Sequence, residues 1–269
     1  MRRLIVHGAA GRLGRRIVAL ALRDPDWELV AGYVRPGDPR TGTDLGVWGG
    51  QPPVGRALAP LVDAVPAADV AIDVSVPAAS VRFVQRMAQA GLPVLVATTG
   101  HDPGERAAIE RCAGRIPVLW APNLSVGIAL LGSLVERLAA VLGTEADVEI
   151  VEAHHRHKRD APSGTALALA RRVARARGQA LREALRTGRH GRSEGQRPQG
   201  EIGLHAVRAG EIVGEHTVVF AWGRERLELV HRAGDRDVFA AGALRVAGFL
   251  ADTTAPGLYG VEDALQPPP

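Results

Sequence analysis

Residues 4–14 read Leu4-Ile5-Val6-His7-Gly8-Ala9-Ala10-Gly11-Arg12-Leu13-Gly14, a short apolar run met at once by three glycines. An apolar-periodic stretch from Ile17 to Leu22 follows, so the segment predicts strand, tight turn and helix. The GxxGxxG spacing suits the phosphate turn of a dinucleotide-binding fold. Glycines let the backbone bend sharply and approach a pyrophosphate, while the first turn of the next helix offers unpaired N–H groups and a favourable dipole. Alone the match is weak, because a glycine turn needed only for packing has the same letters.

Context strengthens it. Glu28 to Val34, Asp69 to Val76, Pro93 to Ala97 and Ile116 to Trp120 read as apolar, β-branched strands. Helical patterns lie between them at Ala78 to Ala90 and Asp102 to Ala113. Continuous apolar strands alternating with helices imply a parallel sheet covered on both faces. After Asn123 the character changes. A long helix, Ser125 to Leu142, precedes a strand at Asp147 to Ala153 and a helix with Ser163 as its N-cap, running to about Arg177. Residues 179–200, rich in Gly, Arg and Gln, read as a long exposed loop. Ile202 to Val207, Glu215 to Ala221 and Arg226 to His231 read as strands of an antiparallel sheet, Asp237 to Leu250 as a helix, and Pro267 to Pro269 as a frayed tail. The expected fold class is α/β followed by α+β, with the boundary near residue 123.

If the first strand carries a dinucleotide, the end of the second should contact its adenosine ribose. A carboxylate there favours NAD, whereas an Arg favours a 2′-phosphate. Val34 is followed by Arg35, with Asp38 and Arg40 beyond, so NADPH is expected to bind more tightly than NADH.

Composition narrows the class of molecule. The chain has 269 residues, 46% hydrophobic and 23% charged, enough for two modest domains with a buried core. Its single cysteine, Cys112, excludes an intramolecular disulfide framework and fits a reducing compartment. The most apolar stretch, Val126 to Leu142, falls short of the roughly 18 residues of a membrane span and is interrupted by Glu136 and Arg137. The N-terminal apolar run is too short and glycine-broken for a signal peptide. A cytoplasmic protein with no membrane partner is expected. Of the 33 basic residues, 32 are Arg and one, Lys158, is Lys. Guanidinium effectively cannot give up a proton and ammonium can, so the one Lys marks a place where charge alone would not serve. Residues 151–200 hold 12 basic and 4 acidic residues, a local excess that points to an anionic partner.

Three of the nine histidines and that lysine fall within positions 154–158 of the run Glu152-Ala153-His154-His155-Arg156-His157-Lys158-Arg159-Asp160-Ala161-Pro162-Ser163-Gly164-Thr165-Ala166. Three readings compete. A metal site on His154, His155 and His157 lacks the i, i+4 His pair with Glu of helical zinc hydrolases, and Arg156, Lys158 and Arg159 would repel a cation. Nucleic-acid binding has its cations, but aromatics are only 4% of the chain and no reader motif is present. General acid catalysis on an anion uses His or Lys to deliver a proton, while Ser163-Gly164-Thr165 at a helix N-terminus forms an anion nest. The dinucleotide loop favours the third, because hydride delivery leaves a centre that needs a proton.

This run resembles the signature of the 4-hydroxy-tetrahydrodipicolinate reductase family, the second step of the diaminopimelate route to lysine. So do the GAAGRLG loop, Ala97-Thr98-Thr99-Gly100, Ala121-Pro122-Asn123, and Val207-Arg208-Ala209-Gly210 through Gly214-Glu215-His216-Thr217. The resemblance spans nearly the whole chain. It implies a Rossmann-type domain from residues 1–122 with 235–269, and a substrate-binding and tetramerisation domain at 123–234 with a mixed or antiparallel sheet. It implies reduction of a small dicarboxylate by NADPH or NADH, in a homotetramer; from the residues themselves no metal and no nucleic-acid partner is expected. His154 and Lys158 match the family's catalytic positions, Lys158 as proton donor and His154 as acid–base. His155, Ser163, Gly164 and Thr165 match carboxylate binders. Gly8, Ala9, Ala10, Gly11, Arg12 and Leu13 match the cofactor's phosphate side, and Ala97, Thr98, Thr99, Ala121, Pro122, Asn123 and Leu124 its nicotinamide side; Arg35, at the end of the second strand, is the residue expected at the ribose. Arg35 stands where many members carry an acid, Leu124 where an aromatic is usual, and Ala97 where glycine is usual.

Overall fold

The computed structural model describes residues 1–61, 64–192 and 195–265. The chain opens with β1 (Arg2–His7), α1 (Arg12–Ala21), β2 (Trp27–Val34), α2 (Leu45–Trp48), β3 (Leu58–Pro60), β4 (Val70–Asp73), α3 (Pro77–Ala90), β5 (Val94–Val96), α4 (Pro103–Ala113) and β6 (Pro117–Trp120). It continues with α5 (Val126–Leu142), β7 (Asp147–His154), α6 (Gly164–Ala176), α7 (Leu181–Ala184), β8 (Leu185–Thr187), β9 (Ile202–Arg208), β10 (Glu215–Trp222) and β11 (Glu225–Arg232). It closes with α8 (Asp237–Ala251) and β12 (Gly257–Tyr259). Two compact units result, one from residues 1–125 with the segment from Asp237 onward, the other Val126–Arg236.

The first unit holds a seven-stranded sheet in the order β12-β6-β5-β4-β1-β2-β3, with every described pairing parallel. Leu4, Ile5 and Val6 have no exposed surface, as expected of a central strand covered on both faces. Strand order reverses between β1 and β4, so the loops after them part there and open the crevice in which such sheets bind ligands. The glycine loop after β1 stands at that point. The expected strand over 69–76 ends early, at Asp73, which releases Val74 to Val76 to join this group of loops.

The second unit holds a five-stranded sheet, β11-β10-β7-β9-β8. Its sheet is mixed. β10 runs antiparallel to β7 and β11, but β9 runs parallel to β7, because α6 carries the chain across one face between them. The exposed loop expected over 179–200 contains α7 and β8, which pairs with β9; its periodicity is weak because both elements are short. β3 and β12, three-residue edge strands, also left no readable pattern. The tail at Pro267 to Pro269 lies outside the described residues. The helical run 126–145 is longer than the sequence estimate, and its mean hydropathy of 1.8 makes it apolar enough to cross a membrane by length and composition alone. Glu136 within it is paired with Arg172 and Arg175 of α6, and Leu131, Val135 and Ala139 pack in the unit's core, while Leu130, Leu134 and Val141 stay exposed.

Side chains in a strand alternate between faces. In β7, Val148 and Ile150 enter the core under α5 and α6, and the same period brings Glu152 and His154 to that face. In β10 the inward set is Phe220, Val218 and His216. In β9 it is Ile202 and Leu204, and then by period Ala206 and Arg208. Register pairs His216 with Glu152 and Arg208 with His154. At one end of these three neighbouring strands, the apolar face therefore turns into titratable groups.

Candidate active site

In the first unit, Gly8 has φ +80°, and a Cβ on it would lie 2.6 Å from the Val74 carbonyl oxygen. A Cβ on Gly14 would lie 2.2 Å from the Gly8 oxygen, so α1 packs directly on the loop backbone. The Gly11 N–H donates to the Gly8 oxygen at 2.8 Å. Gly11 is also the N-cap of α1 and supplies no side-chain cap, which leaves the first-turn amides uncovered by the chain's own cap, as a pyrophosphate requires. Two side chains brace the loop from behind: Trp48 Nε1–H donates to the Ala9 oxygen at 3.0 Å, and Arg40 Nη1–H to the Ala10 oxygen at 2.7 Å.

Asp38, the acid that could have served a ribose, is buried and accepts hydrogen bonds from Arg40 Nε at 2.6 Å and Nη2 at 2.7 Å. These bonds hold its carboxyl down at about 2. Arg35 reaches only 3.7 Å from Asp38, and its side chain is 78% exposed.

Beneath the loops lies Asp73, fully buried, accepting from His7 Nδ1, Ser75 Oγ and Thr98 Oγ1, each at 2.6 Å. Burial pushes this carboxyl up; the hydrogen bond and charge of His7, with Ser75, outweigh it and hold it low. Thr98 also accepts from the Ser75 N–H at 2.9 Å, so its hydroxyl ties the loops after β4 and β5 together. A cavity of about 170 Å³ is lined by Leu13, Ala97, Ala121, Pro122, Asn123, Leu124 and Phe239. Phe239 comes from α8 and was not among the expected residues. Nor was Gly242, where a Cβ would sit 1.9 Å from the Leu124 carbonyl oxygen, so the loop rests on bare helix backbone.

In the second unit Glu152 has no exposed surface and is the centre of the cluster. Its Oε2 accepts from Arg208 Nη1 at 2.7 Å and from His154 Nδ1 at 2.6 Å. Its Oε1 accepts from Arg208 Nη2 at 2.8 Å and from the Ser163 N–H at 2.9 Å. Burial alone would raise this carboxyl; the hydrogen bonds from Arg208, His154 and Ser163 prevail and keep it ionised. His154 thus gives its Nδ1 proton to a fixed carboxylate and presents Nε2 elsewhere. Lys158, at the turn after β7, reaches an Asp160 carboxylate oxygen at 2.9 Å.

His155 lies beside this turn, and His157 faces Glu211 at 3.6 Å. Among the described residues, no three His, Cys, Asp or Glu side chains are placed to hold a metal ion. Ser163 is 2% exposed, its N–H given to Glu152 and its hydroxyl accepting from the Ala166 N–H at 3.1 Å. It caps α6, whose first turn also carries the amides of Gly164 and Thr165.

Family models described as dihydrodipicolinate reductase, N-terminus, and dihydrodipicolinate reductase, C-terminus, match residues 2–124 and 127–265. The chain belongs to the dihydrodipicolinate reductase family. It is 47% identical over the whole of both chains to the 4-hydroxy-tetrahydrodipicolinate reductase of Rubrobacter xylanophilus, and 44% identical over 98% of each chain to that of Anaeromyxobacter dehalogenans. In fold it is similar to the dipicolinate-bound dihydrodipicolinate reductase of Paenisporosarcina sp. TG-14, with a TM-score of 0.77 at 23% identity, covering 98% of this chain and all of that one. A myo-inositol dehydrogenase from Corynebacterium glutamicum shares the fold at a TM-score of 0.60 and 17% identity, covering 98% of this chain and 92% of that one. As a member of the dihydrodipicolinate reductase family the chain is an NAD(P)H-dependent oxidoreductase.

Glu152, Arg208 and His216 are site residues that the sequence reading gave no role, although strand alternation places all three. His216 is buried, its Nε2 is 3.4 Å from Ser163 Oγ, and its ring meets that of His154 edge-on at 5.3 Å. Burial, reinforced by His154, pushes its pKa down to about 4, and burial lowers His231 as well. Between about pH 6.5 and 4 the unfolded chain takes up a proton on His216 that the folded chain refuses, so stability falls with pH across that window. The cost is about 3 kcal/mol at its acid end. Urea unfolding of His216→Gln between pH 7 and 4.5 is expected to show a distinctly shallower loss than the parent; an equal slope would contradict this.

Proposed function

We propose that this chain catalyses the NAD(P)H-dependent reduction of 4-hydroxy-tetrahydrodipicolinate to tetrahydrodipicolinate, with loss of the 4-hydroxyl as water, in the diaminopimelate route of lysine biosynthesis. The observation that carries it is full-length similarity to reductases of that name, joined to a Glu152–His154 pair and a lysine in one cluster. The bound nicotinamide supplies the hydride. The Lys158 ammonium gives a proton at the ring nitrogen, making the imine a better electrophile, and Asp160 keeps that ammonium in place. His154 exchanges a proton through Nε2, and Glu152 stabilises the imidazolium when it forms. His155 and the Gly164 and Thr165 amides hold a carboxylate. An assay with substrate generated in situ tests the reading; no cofactor oxidation with it, and oxidation with another cyclic imine, would transfer the assignment to that imine.

For the cofactor, Asp38 locked beneath Arg40 and Arg35 open to solvent support a preference for NADPH. At one fixed salt concentration KM for NADPH is expected to lie below KM for NADH. Arg35→Ser should raise the NADPH value about tenfold, the worth of one charge-assisted hydrogen bond, while sparing NADH. A parent that prefers NADH would refute it. Four of the twelve cations at 151–200 pair with carboxylates elsewhere in the unit, Arg172 and Arg175 with Glu136, and Arg189 and Arg197 with Glu149 and Glu201, which lowers the local excess. This favours a small anionic substrate over nucleic acid. A homotetramer in the cytoplasm completes the proposal, with sedimentation as the check on assembly.

A further inference from the structure

Arg208 ends β9 opposite His154, on the face where apolar alternation gives way to charge. Its guanidinium serves three acceptors at once: besides the Val207 backbone oxygen, to which Nη1 donates at 2.7 Å, it holds two partners that bear on the site. Nη1 and Nη2 grip the Glu152 carboxylate at 2.7 and 2.8 Å, a bidentate pair, and Nη2 also donates to the Asp160 backbone oxygen at 2.6 Å. Each partner leads to a different member of the acid–base pair. Glu152 receives the His154 Nδ1 proton at 2.6 Å, and Asp160 receives a Lys158 ammonium proton at 2.9 Å. A third branch runs from Glu152 to the Ser163 N–H, and so to the first turn of α6.

We propose that Arg208 and Glu152 are positioning residues that set His154 and Lys158 as one unit. Glu152 selects the imidazole tautomer with Nδ1–H, leaving Nε2 for the substrate, and Arg208 anchors both Glu152 and the loop that carries Asp160. The inference rests on the reductase reading for its kinetic consequence, but its structural content stands apart from the substrate's identity.

The physical case turns on what each loss leaves behind. Without Arg208, Glu152 is a buried carboxylate holding only a neutral amide and a histidine, and a buried charge stripped of its partner is driven towards protonation. A protonated Glu152 donates where it formerly accepted, which reverses the His154 tautomer. In Glu152→Gln the amide offers no charge to steady an imidazolium, and Arg208 loses one of its two acceptor oxygens and the charge it pairs with. The charged and titratable groups around the pair are His154, His216, Lys158 and Asp160, with His231 behind His216. Burial lowers the pKa of both His216 and His231, which disfavours either taking up a positive charge beside Glu152.

Glu152→Gln, Arg208→Met and Arg208→Lys in the full chain test the idea by two independent readouts. The first is the nitrogen-15 side-chain spectrum of His154 without substrate. The parent is expected to show Nδ1 protonated and shielded from exchange, and Glu152→Gln and Arg208→Met to lose that signature while NADPH still binds the other unit. The second is kinetic: both variants lose about 10²-fold in kcat with substrate KM changed less than about threefold, and the kcat–pH profile shifts. Added guanidinium ion restores part of the rate to Arg208→Met but not to Glu152→Gln. Should Arg208→Met fail to fold, Arg208→Lys keeps the charge and loses the fork, and is expected to show the intermediate loss. Folded variants with the parent's His154 spectrum and kcat would overturn the proposal. If the chain proves inactive on the proposed substrate, the spectral arm still decides the positioning claim, so the two failures are distinguishable.

Discussion

Lys158→Arg is expected to cut kcat by at least about 10²-fold while substrate KM stays within a few-fold of the parent. The charge survives the change and the transferable proton does not, because a guanidinium holds its proton at any pH the protein tolerates. The geometry supports separating the two. Lys158 Nζ sits 2.9 Å from an exposed carboxylate, Asp160, on a turn held by the Lys158 N–H to the His155 oxygen at 3.1 Å. An arginine can keep that ion pair and still attract a dicarboxylate, so binding should persist. Lys158→Met removes both functions and is expected to raise KM as well. Steady-state rates with saturating cofactor give the answer, and a Lys158→Arg enzyme with near-parental kcat would exclude proton donation by this residue.

That lysine is also the feature that the sequence marked most plainly. Thirty-two arginines elsewhere show that positive charge in this chain is ordinarily written as Arg, and the exception lies among three histidines. The strands were equally readable where burial on both faces made them continuous apolar runs, as in β1, β4 and β5. Short edge strands were not. Three residues of β8 or β12 contain too little alternation to register, and their pairing depends on a neighbour far away in the chain. The direction of β9 was also hidden, since a strand's residues say which face is buried and not which way its neighbour runs.

The site itself was half legible. Groups adjacent in sequence, His154, His155, Lys158 and Ser163, could be collected from one run of letters. Arg208 and His216 could not, because each is an ordinary-looking residue in a separate strand until register sets it beside Glu152. A signal existed even so. In β7 the inward positions 148, 150 and 152 read Val, Ile, Glu, and in β10 positions 220, 218 and 216 read Phe, Val, His. A charged residue that continues an apolar period must be paired, and its partners must lie at the same end of neighbouring strands. Ser163 shows what position alone leaves out: its N–H goes to Glu152 and its hydroxyl accepts from the Ala166 N–H, so it also ties α6 to the cluster.

His154→Ala carries the other large effect, a loss of about 10²–10⁴-fold in kcat if Nε2 exchanges the proton. The fold should survive it, because Glu152 retains three of its four hydrogen bonds, two from Arg208 and one from the Ser163 N–H. Melting temperature near the parent's together with a collapsed kcat would therefore isolate chemistry from stability. A second variant sharpens the point. A Cβ on Gly214 would stand 3.1 Å from His154 Nε2, closer than side chains ordinarily pack, so one of the two must give by a few tenths of an ångström. Gly214→Ala therefore crowds the imidazole, even though it removes no polar group. Its kcat should fall by about tenfold, a misplacement cost, with His154 still bonded to Glu152. If Gly214→Ala were silent while His154→Ala was severe, the ring would have slack at that edge, and the demand on its placement would rest on Glu152 alone.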